Sequence, residues 1–410
     1  MKRCDGLANG TGNHLFGGYP HRPGSGNFAQ GQKPAPGRLL RHSGRQKRPV
    51  SEMSSLYPEN GKTLVIHIGM PKAGSTSIQA MLHSHRAALA LEGVTVLPLG
   101  RNHSTVLSQI CQQDDLDPPR AHVFDLADAG LLGADLAGLR AHVAQAAAGA
   151  APLSLCSGER LFSFDRAAVQ ALQDLLAPHF QQIRILAYLR EPVAWANSRV
   201  QQAVKSKRAL RRRDARDSLQ ERGLAENLVP NYRNLESYLA VFGPERIDCR
   251  PFARSAFVQA DLLADFWHAV GRPDLIGRFD APEQNASISQ EAVILIDLVK
   301  ALTRRYPRLS PLADRLRHRL RAVPGEPFRL PVVEQARVRA QAQAQLQWLH
   351  QEFGIDLTLH QGPIQAPRPR WRPATLRAVG AALRELLPGA FRPRRLPQAR
   401  PIVTTKGPRP

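Results

Sequence analysis

The run Leu64-Val-Ile-His-Ile-Gly-Met-Pro-Lys-Ala-Gly-Ser-Thr-Ser-Ile-Gln79 restricts the fold more than any other part of the chain. Five apolar or β-compatible residues predict a buried strand, Gly-Met-Pro a turn, and Ser-Thr-Ser-Ile-Gln the opening of a helix. A strand that turns directly into a helix is the unit of a parallel α/β sheet. It also makes an anion site: the first N–H groups of the helix converge on the turn, the helix dipole adds partial positive charge, and the hydroxyls of Ser75, Thr76 and Ser77 can donate further hydrogen bonds. Lys72 places a full charge in the same loop. The common phosphate loop Gly-x-x-x-x-Gly-Lys-[Ser/Thr] carries its lysine after the last glycine, whereas here Lys72 precedes Gly74. Read blandly, such a junction is only a good helix cap.

A second strand-to-helix junction follows in Ile183-Arg-Ile-Leu-Ala-Tyr-Leu-Arg-Glu-Pro-Val-Ala-Trp-Ala-Asn-Ser198. Arg190 ends the apolar run, Pro192 starts a helix, and Ser198 stands about two helical turns beyond Arg190. A guanidinium offers parallel N–H donors to phosphate oxygens, and a helical hydroxyl can complete the cradle.

Together the two motifs resemble those of the sulfotransferases that use 3′-phosphoadenosine 5′-phosphosulfate (PAPS). Pro-Lys-x-Gly-[Ser/Thr]-[Ser/Thr] is similar to their 5′-phosphosulfate loop. Arg-x-Pro-x-x-x-x-x-Ser is similar to the segment that holds their 3′-phosphate. The resemblance implies a three-layer α/β fold of the phosphate-loop type, with a central mostly parallel sheet flanked by helices. It implies PAPS as co-substrate, held by Lys72, Ala73, Gly74, Ser75, Thr76, Ser77, Arg190 and Ser198. It covers roughly residues 62–300, with specific matches only in the two motifs. The Arg-Lys-Gly segment that completes the 3′-phosphate site in the cytosolic members has no counterpart.

Sulfuryl transfer needs charge stabilisation at the bridging oxygen and a base for the acceptor hydroxyl. Lys72 suits the first role, typically worth about 3 kcal/mol or more. For the base, Glu159 in Cys156-Ser-Gly-Glu159 ends the strand before the Arg190 unit, and His103 in Arg101-Asn-His-Ser-Thr105 is its rival. Their bland readings are a salt bridge and an ordinary loop histidine. No metal is expected.

Strands at Val94–Leu97, Leu153–Cys156 and Arg246–Phe252 alternate with helices at 76–91, 136–148, 166–176 and 257–270, which predicts ligands at the carboxyl ends of a parallel sheet. Trp267 reads as packing, and Ser289 as the cap of a helix with Glu291 in its first turn. The 410 residues carry a net charge of +22, with an excess of eight positive charges in residues 1–50 and ten in 361–410, which leaves four for the rest. Both ends read as unstructured basic segments flanking one domain over 61–360. Met53 is a second candidate start. No run of eighteen apolar residues and no signal-type leader is present, which predicts a cytoplasmic protein.

The run Lys205–Arg216, with seven positive charges and one negative, reads as a solvated face or as an electropositive rim for a polyanionic acceptor such as a polysaccharide or glycolipid. Nucleic acid is a weaker partner. A basic apolar-faced helix at 374–387 could lie on an anionic membrane surface. Rival classes are a nucleotide kinase, which should show Gly-Lys-[Ser/Thr] and a Mg²⁺-binding acid, and a non-catalytic phosphate- or nucleic-acid-binding protein.

Overall fold

A computed structural model describes residues 61–112, 120–205, 228–282, 287–306, 310–365 and 368–386. The chain is α/β with one five-stranded, all-parallel sheet. Strands β1 (Thr63–Ile68), β2 (Val94–Val96), β3 (Leu153–Gly158), β4 (Gln182–Leu189) and β5 (Ile247–Pro251) lie in the order β2-β3-β1-β4-β5. Every residue of β1 and β3 is buried, as expected of strands covered by helices on both faces. Ile66 of β1 pairs in register with Cys156 of β3 and Ile185 of β4.

Helices α1 (Ser75–Ser84) and α2 (Arg86–Leu91) carry the chain from β1 to β2. The single helix expected over 76–91 breaks at His85, whose Nε2 donates to the Asp280 carbonyl at 3.0 Å. Helices α3 (Ser104–Cys111), α4 (Arg120–Asp128) and α5 (Leu136–Ala148) precede β3; α6 (Arg166–Leu176) precedes β4; α7 (Pro192–Lys205) and α8 (Leu235–Phe242) precede β5. After β5 comes α9 (Leu262–Ala269), shorter than expected because Asp261 caps it by accepting from the Ala264 N–H at 2.9 Å. Helices α3, α5, α6 and α8 pack together in one layer, while α1 and α9 pack against each other. Right-handed crossovers require this division, since the chain moves in opposite directions along the sheet before and after β2. Trp267 is buried and meets Phe266 edge-on, a packing role.

The sheet order fixes where a ligand can sit. The connection leaving β1 runs towards β2, and the one leaving β4 runs towards β5. The carboxyl ends of these adjacent strands therefore border a crevice at the topological switch point. Both motifs lie there.

Helices α10 (Gln290–Arg305), α11 (Ser310–Leu320), α12 (Val332–Phe353) and α13 (Pro373–Leu386) follow. Val193, Ala196 and Val200 of α7 join Ala292 and Ile296 of α10 and Val338 of α12 in a second hydrophobic core. Ser289 caps α10 as expected, accepting from the Ala292 N–H at 3.0 Å. The boundary expected at 360 needs correction, because α13 belongs to the fold. Thr375 donates to the Pro324 carbonyl at 2.9 Å, and Ala378, Val379 and Ala382 pack into the second core. Its apolar residues recur on one side and find a partner in the helices already there, which a reading of the tail by composition could not show. That side rests on protein, and Leu376 faces outward. The leader, the Met53 start, the basic run beyond Lys205 and the chain beyond 386 lie outside the described residues. Among the described residues no helix is long and apolar enough to cross a membrane.

Candidate functional site

The turn after β1 is built so that α1 begins directly over the strand end. The Gly69 N–H donates to the Gly158 carbonyl at 3.0 Å, which keeps β1 and β3 paired to the mouth of the crevice. A Cβ on Gly69 would stand 2.2 Å from Ser75 Oγ, so only glycine lets the helix start fold back this closely. Lys72 and Gly74 both sit at positive φ, 69° and 81°, with buried Ala73 between them at negative φ. For Gly74 the conformation is cheap; for Lys72 it is strain of the kind found where surrounding structure over-determines a functional loop.

Gly74 is the N-cap of α1 and no side chain caps the helix. The N–H groups of Gly74, Ser75 and Thr76 have no acceptor within the helix, and its dipole makes this end electropositive. Thr76 and Ser77 are half-buried at the mouth. Ser75 is buried, and its Oγ has no hydrogen-bond partner among the described residues.

The unit that follows β4 grips the same loop by its carbonyls. Trp195 Nε1 donates to the Pro71 carbonyl at 2.8 Å and Arg190 Nη1 donates to the Lys72 carbonyl at 2.7 Å. The Arg190 N–H points at Met70 Sδ, 3.4 Å away, and its own carbonyl accepts from the Tyr232 hydroxyl at 2.5 Å. Its guanidinium lies 5.3 Å from the centre of the Phe252 ring. Phe252 also touches the loop from below, since a Cβ on Gly74 would stand 2.7 Å from it. Burial lowers the Arg190 pKa from its usual value, with Glu191 opposing. Glu191 accepts from the Ala194 N–H at 2.7 Å, capping α7. Ser198, half-buried, stands one turn after Trp195, and the adjoining Asn197 accepts from the Leu330 N–H at 2.8 Å, tying this turn to the C-terminal helices.

Lys72 and Glu159 sense each other's charge. Burial lowers the lysine's pKa below the ordinary range; attraction to Glu159 opposes this, and Arg199 and Arg190 reinforce it. Burial likewise raises the Glu159 pKa above the usual carboxylate value, against the pull of Lys72 and Arg199. In both groups desolvation outweighs the pairing, so each is held closer to its neutral form. Glu159 opens onto a cavity of about 390 Å³ bounded by Met70 and Pro71 of the loop, Trp195 of α7 and Phe162.

His103 is placed elsewhere. It is 2% exposed, its Nδ1 accepts from the Ser157 N–H at 3.1 Å, and its own N–H donates to the Ser157 carbonyl at 3.1 Å. Burial pulls its pKa down to about 3, helped by the nearby Arg86 and His83 and opposed by the Gly100 backbone. The ring is buried with its Nδ1 lone pair taken by the Ser157 N–H, so it pins the α3 entry to the end of β3 and is not brought to the cavity beside Glu159, unlike the expectation of His103 as base. Its neighbour Asn102 lines the cavity instead.

The structure thus gathers Lys72, Ala73, Gly74, Ser75, Thr76, Ser77, Arg190 and Glu159 around one crevice. Trp195, Tyr232 and Phe252 support it and were not foreseen. Trp195 lies inside the second motif, and an indole N–H five residues after the arginine was a usable signal. Tyr232 and Phe252 come from distant segments with no local mark. Among the described residues no group of three or more His, Cys, Asp or Glu is gathered as a metal site, and the cysteines described, Cys111, Cys156 and Cys249, are free. No protein-family model matches the chain, and no curated protein matches it.

Proposed function

We propose that the chain is a PAPS-dependent sulfotransferase that moves a sulfuryl group onto an acceptor hydroxyl. The observation that carries the reading is the convergence, at the β1–β4 switch point, of the uncapped α1 N-terminus, Lys72 and the Arg190 guanidinium, with Glu159 beside Lys72. A dianionic 5′ group fits the helix start. A 3′-phosphate fits the fork of Arg190, which gives one N–H to Lys72 and has others to offer, with Ser198 as its hydroxyl partner.

In the transfer, the bond between sulfur and the bridging oxygen of the donor breaks as the acceptor oxygen bonds to sulfur. The electron pair stays on the departing 5′-phosphate, where Lys72 meets the developing charge. The acceptor proton passes to the Glu159 carboxylate, whose raised pKa brings it nearer the working pH of a general base. Burial of both groups keeps their electrostatic effect from being dissipated in water.

Calorimetric titration of the full chain with 3′-phosphoadenosine 5′-phosphate tests this reading. Micromolar binding that Arg190→Ala weakens by about tenfold or more is expected. A folded protein that ignores this nucleotide but binds ATP with Mg²⁺ would turn the reading to a kinase, and one that binds neither would leave a non-catalytic anion site.

A further inference from the structure

We infer that the cavity beside Glu159 is an acceptor subsite for an uncharged sugar ring; this rests on the function proposed above and names its substrate class. Among the described residues the cavity's charged lining is Glu159 and Arg160, one of each sign, and the other polar side chains are Asn102, Ser163, Asn231 and Asn234, with the Trp195 indole. A polyanionic acceptor would need an excess of cations here, and it would bring its own charge against Glu159. At about 390 Å³ the space lies at the small end of the range for small-molecule pockets, about 300–1,000 Å³, enough for a small cyclic unit.

The hydrogen-bonding groups decide between a sugar and a flat apolar alcohol. Asn231 Nδ2 donates to Asn234 Oδ1 at 2.7 Å, so the pair turns one acceptor, Asn231 Oδ1, and one donor group, Asn234 Nδ2, to other partners. Asn102 Oδ1 accepts from Ser104 Oγ at 2.7 Å and from the Ser104 N–H at 3.3 Å, leaving its NH₂ as a donor. Ser163 Oγ donates to the Arg160 carbonyl at 2.9 Å and keeps its lone pairs as acceptor. Both donors and acceptors are therefore on offer in the lining, which suits vicinal hydroxyls, each both donor and acceptor. A phenol or sterol ring offers at most one hydroxyl to this set, and the half-buried Asn102 or Asn234 left without a partner beneath it would cost up to about 1–3 kcal/mol. Phe162, Trp195, Val229 and Pro230 supply the apolar surface that the C–H faces of a pyranose need.

Saturation-transfer NMR on the full chain, with 3′-phosphoadenosine 5′-phosphate present, tests the inference using maltose, cellobiose, lactose and N,N′-diacetylchitobiose beside 2-naphthol and a disulfated disaccharide. Transfer to the ring protons of at least one neutral disaccharide is expected. It should fall about tenfold in the Asn231→Ala/Asn234→Ala double variant and vanish in Val229→Trp, which fills the cavity from a half-buried position. Nucleotide binding should be unchanged in both variants. Stronger transfer to 2-naphthol or to the sulfated sugar, no transfer to any neutral disaccharide, or transfer that survives both variants would overturn it. Nucleotide binding is read in the same tubes. Loss of saccharide with nucleotide retained sinks this inference alone, whereas saccharide binding without any nucleotide binding sinks the sulfotransferase reading.

Discussion

Arg190 donates through Nη1 to the carbonyl oxygen of Lys72 at 2.7 Å, so the arginine at the end of β4 holds the backbone of the very residue whose side chain supplies the loop's charge. Lys72 stands at φ 69°, a conformation that costs an L-residue about 1–2 kcal/mol. The hydrogen bond from Arg190 and that from Trp195 to Pro71 turn two successive carbonyls towards α7. With those carbonyls held there, the helix start is left to face the crevice. The strain is thus held in place by the unit that would bind the other end of the same ligand.

Arg190→Ala removes both the phosphate fork and this brace. Nucleotide affinity should fall about 10- to 100-fold, the worth of one or two charge-assisted hydrogen bonds. Arg190→Lys keeps the charge but loses the fork, and should sit between the two. Equal affinity for wild type and the alanine variant in calorimetry would remove Arg190 from the site.

Lys72→Gly and Lys72→Met separate backbone from charge. Both lose the cation and should lower kcat by about 10²–10³-fold with any active acceptor. Only glycine relieves the positive φ, so Lys72→Gly should unfold at a higher denaturant concentration than Lys72→Met, by about 1 kcal/mol. Identical midpoints for the two would mean that the loop carries no strain at this residue.

The parts of this arrangement readable in the sequence are those in which one short segment carries both the fold signal and the chemistry. Leu64–Gln79 and Ile183–Ser198 each join an apolar run to a turn and a helix start, so sheet type, strand polarity and the placement of Lys72 and Arg190 follow from local pattern. The bounds of α5 and α6 follow too, because Asp135 and Asp165 cap them, accepting from the Gly138 and Ala168 N–H groups at 2.8 Å. What was hidden depends on distance along the chain. Tyr232 reaches Arg190 across 42 residues, and the buried flank of α13 has meaning only beside α10, α11 and α12. His103 was misleading for a related reason: a histidine after a short strand looks alike whether it faces a crevice or the core.

Glu159 and Lys72 should shape the pH dependence from opposite sides. The carboxylate must be ionised to accept a proton, and its pKa is raised by burial, so kcat/KM should climb through an apparent pKa above that of a free glutamate. The ammonium must be charged, and burial lowers its pKa, so the alkaline fall should begin below the range of a free lysine. Glu159→Gln should lower kcat by about 10²–10⁴-fold and flatten the acid limb. An acid limb that persists in this variant would assign the base to another group.

His103 makes a prediction about stability instead of rate. Its folded pKa of about 3 lies below the ordinary histidine value of 6.5, so the folded state holds it neutral while the unfolded state takes up a proton as the pH falls. For a depressed pKa in a basic group, the stabilisation is fully present above about 6.5 and is lost progressively from there down to about 3, at about 1.4 kcal/mol per pH unit. His103→Leu removes the acceptor of the Ser157 N–H, which leaves a buried donor unpaired and should cost about 1–3 kcal/mol at pH 8. It also removes the titrating group, so the variant should lose stability less steeply on acidification. The gap between the two proteins in urea unfolding should therefore narrow as the pH falls below 6.5. His67 is likewise buried with a pKa of about 3 and remains in both proteins, so the variant's curve keeps one such contribution. A gap that stays constant from pH 8 to pH 5 would show that His103 is not held neutral, and a change in the acid limb of kcat/KM in His103→Leu would return it to the catalytic machinery.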